Sequence, residues 1–188
     1  MNWEAVKEDT YYRGRKLEAD ARRASDPDKW KEYAELKTLK GSYVLGIHGF
    51  MNAASLYEAH GEMDAAVAAY ERGLLAAMGA GYKELAVILA YRMAQIFERK
   101  RNWDACIAVY ERLGAFCKEK SAHFLAADAY EHAAEMMVQA SRDVMHYKKP
   151  IEMWEQNIRH WEEAGHEDDA NWSRRHIELY KELFGIRE

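Results

Sequence analysis

The chain has 188 residues, with 27 basic against 32 acidic side chains and a formal net charge of -5. This length suits one domain or one short repeat array, and the acid excess excludes the electrostatic footprint of a nucleic-acid binder. Only Pro27 and Pro150 interrupt a composition rich in Ala, Glu, Lys, Arg, Leu and Met, so an all-α fold is expected nearly everywhere.

In chain order, Trp3, Val6, Tyr11, Leu17 and Ala21 fall on one helical stripe and predict a helix over about 3–24. Ser25-Asp26-Pro27 then offers a cap and a helix-opening proline. From Asp28 the apolar positions Trp30, Tyr33, Leu36, Leu39, Tyr43, Ile47, Phe50, Ala54 and Tyr57 keep helical spacing, with a break expected at Lys40-Gly41-Ser42. The uncharged run Gly41–Tyr57 contains His48, Asn52 and three glycines and is too short and polar to span a bilayer. The glycines at 41, 46 and 49 leave close helix packing, a hinge or a ligand's approach open, with close packing preferred.

Gly61 should end a helix, Asp64 suits the first turn of the next, and that helix should reach about Met78. Residues 79–81 (GAG) punctuate, an amphipathic helix follows from Tyr82, and Asn102 can cap the helix that begins at Trp103. A further helix follows Glu119-Lys120, then a polar interruption at Ser141–Lys149 closed by Pro150. Next comes a helix with Trp154, Ile158 and Trp161 on one stripe, and last a helix over about His166 to Phe184. The N-terminal segment has no apolar core of a secretory signal, so a cytoplasmic location is expected. On one helix Cys106 and Cys117 would lie roughly 16 Å apart, beyond disulfide reach, and both read as reduced thiols.

The stretch MDAAVAAYERG at 63–73 is nearly repeated as WDACIAVYERL at 103–113, and Tyr110 lies forty residues after Tyr70. Forty residues fit two helices and two turns, so the duplication reads as a helical hairpin written twice and stacked. One helical-repeat domain over 1–188 is expected: N-terminal helices in 1–40, repeats in 41–80 and 81–120, an irregular repeat in 121–164 and a capping helix in 165–188.

The rhythm Ala54, Tyr57, Gly61, Ala66 and Tyr70, with Ala94, Phe97, Cys106 and Tyr110 in the second unit, resembles the tetratricopeptide repeat family. The longer period and AADAYEHAAEMM are more similar to its soluble NSF attachment protein group. Arg101 stands where Gly61 sits and Leu113 stands where a small residue is usual. Pro150 falls where a third aromatic would be, which calls for an insertion. The resemblance implies a right-handed superhelix (solenoid) of stacked antiparallel hairpins, whose first helices line a concave groove. Here the groove side chains would be His48, Met51, Ser55, Glu58, Tyr91, Gln95, Glu98, Arg99, Asp128, Glu131 and Glu135. A basic or amphipathic peptide gripped by Met51 and Tyr91 and steered by the carboxylates is the expected occupant. The Lys and Asn pattern by which some family members clamp an acidic chaperone C-terminus is absent, with Met51, Ser55, Tyr91 and Gln95 in its place.

Other constellations are weaker. Glu163 and His166, near His160, Asp168, Asp169 and His176, make one incomplete Glu-x-x-His pair, so no metal is expected. Cys106 has no visible base and reads as a buried, inert thiol. The aromatics near both ends, Trp3, Tyr11, Tyr12, Trp30, Trp154, Trp161, Trp172 and Tyr180, divide between core and a partner or dimer surface. The leading expectation is a non-enzymatic interaction module, as adaptor, scaffold or accessory subunit, without a cofactor. The alternative is a helical-bundle enzyme or a small-ligand or metal-binding protein using the interior residues His48, Glu58, Glu98 and His123.

Overall fold

The computed structural model describes residues 3–141 and 148–185. The side chains of Trp3, Val6, Tyr11 and Tyr180, and the polar interruption at 142–147, lie outside the described residues. Among the described residues there are nine helices: α1 (Trp3–Ala24), α2 (Pro27–Leu39), α3 (Tyr43–Ala59), α4 (Met63–Ala80), α5 (Lys83–Arg99), α6 (Trp103–Glu119), α7 (His123–Ser141), α8 (Lys148–Glu163) and α9 (Glu167–Phe184). The all-α expectation holds. Consecutive helices pack against each other in adjacent pairs, as in a helical repeat array.

Local chemistry sets these boundaries. Asp26 caps α2 by accepting from the backbone N–H groups of Asp28 and Lys29, with Pro27 opening the helix. Asn102 caps α6 through the N–H of Ala105 at 3.2 Å. Helices α3 to α7 begin at residues 43, 63, 83, 103 and 123, twenty apart, and the turn before each start is built the same way. Residues 41, 61, 81, 101 and 121 all take positive φ. In each turn that residue's N–H bonds to the carbonyl three residues back, and the next N–H bonds to the carbonyl five back, as in Gly61 to Glu58 (3.0 Å) and Glu62 to Tyr57 (2.8 Å). This pair of bonds satisfies the last carbonyls of the helix and reverses the chain.

Glycine fills the left-handed position in the first three of these turns, whereas Arg101 (φ 53°) and Ser121 (φ 54°) adopt it with a side chain, at about 1 kcal/mol each. The expected GAG punctuation reduces to Gly81, because only that residue leaves the helix and α4 continues to Ala80. The same turn returns at Gly165, 44 residues after Ser121. The four residues beyond the forty-residue period fall between those two turns, as the position of Pro150 required.

The chain divides into two compact units, Met1–Met93 and Ala94–Glu188. In the first, α1 to α4 pack in order around Ala34, Ile47, Phe50, Ala53, Tyr70 and Leu74, all buried. Glycine permits the close approach of α3 to α2: a Cβ on Gly49 would lie 2.9 Å from the Ala34 Cβ and 3.1 Å from its Cα. The glycines at 46 and 49 therefore serve packing. In the second unit α6 packs on α7, α7 on α8 and α8 on α9, with Tyr130, Trp154 and Ile177 among the core side chains.

The duplicated motif occupies matching environments. Ala66, Ala69, Tyr70, Gly73, Leu74 and Ala77 are the buried stripe of α4; Cys106, Val109, Tyr110, Leu113, Gly114 and Cys117, forty residues later, belong to that of α6. The Tyr70 hydroxyl donates to Glu58 at 2.7 Å. Tyr110, whose pKa is raised first by burial, has Glu98, the forty-residue counterpart of Glu58, as its strongest charged neighbour. Both cysteines are buried and free. Cys106 bonds to the Ala94 carbonyl at 3.5 Å, and its thiol is pushed up to about 11 by burial and then by Glu98, as an inert thiol should be.

Two substitutions test this account by denaturant unfolding. Gly49→Ala should destabilise the protein by about 1–3 kcal/mol, because the Ala34 backbone cannot yield to the new methyl. Arg101→Gly should stabilise it by about 0.5 kcal/mol or less, the relieved left-handed strain less the entropy of an added glycine. Reversed signs would refute the close contact at Gly49 and the left-handed strain at Arg101.

Candidate functional site

In the first unit α3 holds four of the expected groove residues. His48 and Ser55 are exposed and Met51 and Glu58 half-buried, while Tyr91, on α5, is half-buried. Glu58 is tied to the Tyr70 hydroxyl, which also lies 3.5 Å from the Ser55 hydroxyl. His48 and Glu58 stand ten residues apart on one helix, about 15 Å at the helical rise, so they do not converge as an enzyme's acid and base would.

In the second unit Gln95 and Arg99 are exposed, and Glu98, Asp128, Glu131 and Glu135 are half-buried. Here the structure draws several carboxylates into a polar network. Trp154 is fully buried and its indole N–H needs an acceptor. It donates to Glu131 Oε2 at 3.0 Å, and His176 Nε2 lies 3.0 Å from the same oxygen. Only 13% of the Glu131 side chain is exposed. Burial raises the pKa of this carboxyl, against the lowering effect of the His176 and Trp154 hydrogen bonds.

One residue along α7, His132 stacks on Tyr110 with ring centroids 5.2 Å apart. Its Nδ1 lies 2.9 Å from Glu135 and its Nε2 4.0 Å from Asp128. The Glu135 hydrogen bond raises the His132 pKa, and the fields of Glu135, Asp128 and Glu131 add to it, while burial opposes. Among the described residues no three His, Cys, Asp or Glu side chains are grouped so as to hold a metal ion, and no helix is long and apolar enough to cross a membrane.

Two concavities lie outside this network. In the first unit an open groove of about 650 Å³ is lined by Leu39, Tyr43, Phe50, Leu75, Glu35 and Arg72, among others. Leu39 and Tyr43 keep helical spacing with the buried Trp30, Tyr33 and Phe50, yet both are exposed. Leu39 is 87% exposed and Leu75 54%, because α2 ends at Leu39 and the chain turns away from its last turn. Across the groove floor the Arg72 guanidinium lies 5.4 Å over the Phe50 ring and pairs with Glu35 at 2.5 Å.

In the second unit a cavity of about 370 Å³ is lined by Phe124, Asn157, Trp161, Asp169, Trp172 and Ser173. Sequence reasoning marked Trp161 and Trp172 as candidate surface aromatics but gave no role to Asn157. In the fold Asn157 is 1% exposed, its amide nitrogen donates to Ser173 Oγ at 3.0 Å, and its Oδ1 has no hydrogen-bond partner. An unmet buried acceptor costs about 1–3 kcal/mol. The polar residue within the Trp154, Ile158, Trp161 stripe was the one signal in the sequence.

No protein-family model matches the chain, and no curated protein sequence matches it. Among solved structures the chain is similar to the crystal structure of BtubC (BKLC) from P. vanneervenii, at 14% identity and a TM-score of 0.32 over 100% of this chain and 94% of that one.

The His132 network carries a pH dependence. A histidine whose folded pKa lies above its unfolded 6.5 adds stability that is fully present below 6.5 and lost as pH rises through the folded value. The difference in urea midpoint between the wild-type chain and His132→Gln should therefore shrink from about pH 6 to about pH 8. A difference that stays constant or grows over that range would refute it.

Proposed function

We propose that this protein is a tetratricopeptide-like, non-enzymatic interaction module, an adaptor, scaffold or accessory subunit that holds an amphipathic segment of a partner protein. The supporting observation is the groove of the first unit, where Leu39 stands 87% exposed opposite Leu75. Large apolar side chains gathered around an open groove with a polar centre mark an interaction surface. The groove suits an amphipathic helix: Leu39, Tyr43 and Leu75 would bury its apolar face, and the Glu35–Arg72 pair would meet its polar flank.

The carboxylates expected to steer a basic peptide take a different part in this reading. Glu58, Glu131 and Glu135 accept hydrogen bonds from, or pair with, Tyr70, Trp154 and His132, so they are engaged within their own units and the grip is assigned to the apolar groove. Because the groove is preformed, little ordering cost attends binding.

The test is affinity capture from the native cell with the wild-type chain, followed by affinity measurement on the partner so identified. Leu39→Glu combined with Leu75→Glu should weaken that affinity at least about tenfold, with the circular dichroism spectrum unchanged because both side chains already face water. A partner held as tightly by this variant as by the wild type would overturn the assignment of the groove.

A further inference from the structure

The cavity in the second unit combines three features that point to one ligand chemistry. Its walls are aromatic: Phe124, Trp161 and Trp172 line it, and Trp172 is 50% exposed. Trp172 stacks on His176 with centroids 5.0 Å apart and an interplanar angle of 16°, which fixes its ring, and the Phe124 ring lies 6.0 Å away. Aromatic faces arranged this way attract an organic cation through the ring quadrupole.

The second feature is a carboxylate. Asp169 lines the same cavity, and His166 Nδ1 is 3.8 Å from its carboxylate, beyond hydrogen-bond distance. Arg174, in the same helix, is already engaged by Glu162 and Glu167.

The third is the unmet acceptor. Ser173 Oγ donates its one proton to the Asp169 backbone carbonyl at 3.1 Å, so toward Asn157 it can only accept. That fixes the amide orientation: the Asn157 nitrogen faces Ser173 at 3.0 Å, and the oxygen, Oδ1, is left without a donor. A quaternary ammonium has no N–H to offer this oxygen, whereas a guanidinium brings five donors in a planar fork and stacks on indole rings.

We propose that this cavity is a receptor for an arginine side chain of a partner polypeptide: the guanidinium plane lies against Trp172 and Trp161, its N–H groups pair with the Asp169 carboxylate, and a small shift of the Asn157 side chain would open its shielded Oδ1 to a further N–H. The site lies wholly within the second unit. It shares with the proposed function only the premise of a polypeptide partner, and either can fail without the other.

The experiment titrates the full chain with acetyl-Gly-Arg-Gly-amide and with versions carrying citrulline, lysine or trimethyllysine in place of arginine, read by the indole N–H resonances of Trp161 and Trp172. The arginine peptide should shift both resonances with a millimolar-range dissociation constant and bind at least about tenfold more tightly than the citrulline peptide, which keeps the shape and loses the charge. Trp172→Ala and Asp169→Asn, both at exposed positions, should each weaken binding by about tenfold with the fold retained. Absence of shifts at about 20 mM peptide would overturn the proposal. Citrulline binding as tightly as arginine would overturn it too, as would lysine or trimethyllysine binding at least as tightly. So would guanidinium chloride producing the same shifts at the same concentration, since the site would then belong to a free small cation.

Discussion

The left-handed residue that closes each helix is the constraint on which the architecture depends. At residues 41, 61, 81, 101 and 121 the same two backbone bonds stop a helix and reverse the chain, leaving so short a link that the next helix must run back antiparallel beside the last. A helix placed that way has to present small or well-fitted side chains to its neighbour. Gly49 against Ala34 and Gly114 against the Tyr130 ring show how tight the approach is. Twenty-residue spacing of the turns then fixes helix length, and with it the forty-residue recurrence of the buried stripe.

Burial of aromatic side chains generates the second layer of organisation. Tyr57, Tyr70 and Trp154 are large enough to fill the space between helices but carry polar atoms that need partners once out of water. Asp28, Glu58 and Glu131 supply them, at 2.5, 2.7 and 3.0 Å. Carboxylates that resemble a charged groove in the sequence are in this sense part of the packing. Burial pushes the Tyr57 hydroxyl up to about 12, with the Asp28 hydrogen bond adding to it, so the phenol keeps its proton and remains the donor throughout the neutral range.

Much of this was legible in the sequence. Asp26-Pro27, Gly41, Gly61 and Asn102 are local signals whose chemistry acts within a few residues, and the helices they bound begin or end within about two residues of where those signals fall. The duplicated Tyr70 and Tyr110 motif revealed the hairpin because repetition needs no knowledge of neighbours. What failed to show was orientation. Leu39 keeps helical spacing with Leu36, yet it occupies the last residue of α2, where no following helix covers it. Arg101 and Ser121 carry no compositional mark of a left-handed turn; only their spacing from Gly81 gives them away. Asn157 reads as a polar face of an amphipathic helix until α9 is seen to bring Ser173 against it.

That last contact bears on why an incomplete hydrogen-bond set persists at the junction of α8 and α9. Asn157 and Ser173 join α8 to α9 through a chain that ends on the Asp169 backbone, and the cost of one unmet acceptor is set against the register the chain enforces. An apolar pair of similar volume would join the helices without leaving an oxygen unpaired, so helix packing alone does not account for the amide. In the proposed reading a buried acceptor beside aromatic walls and a carboxylate would discriminate among ligands once the amide shifts to expose it: a ligand without a donor would leave the oxygen unmet, while one with a donor would complete the set. The apolar groove of the first unit has no such discriminating acceptor in its floor, where Arg72 and Glu35 satisfy each other. In the proposed reading the two surfaces differ in kind: one would gain affinity from area removed from water, the other would select its ligand through charge, ring stacking and N–H donors.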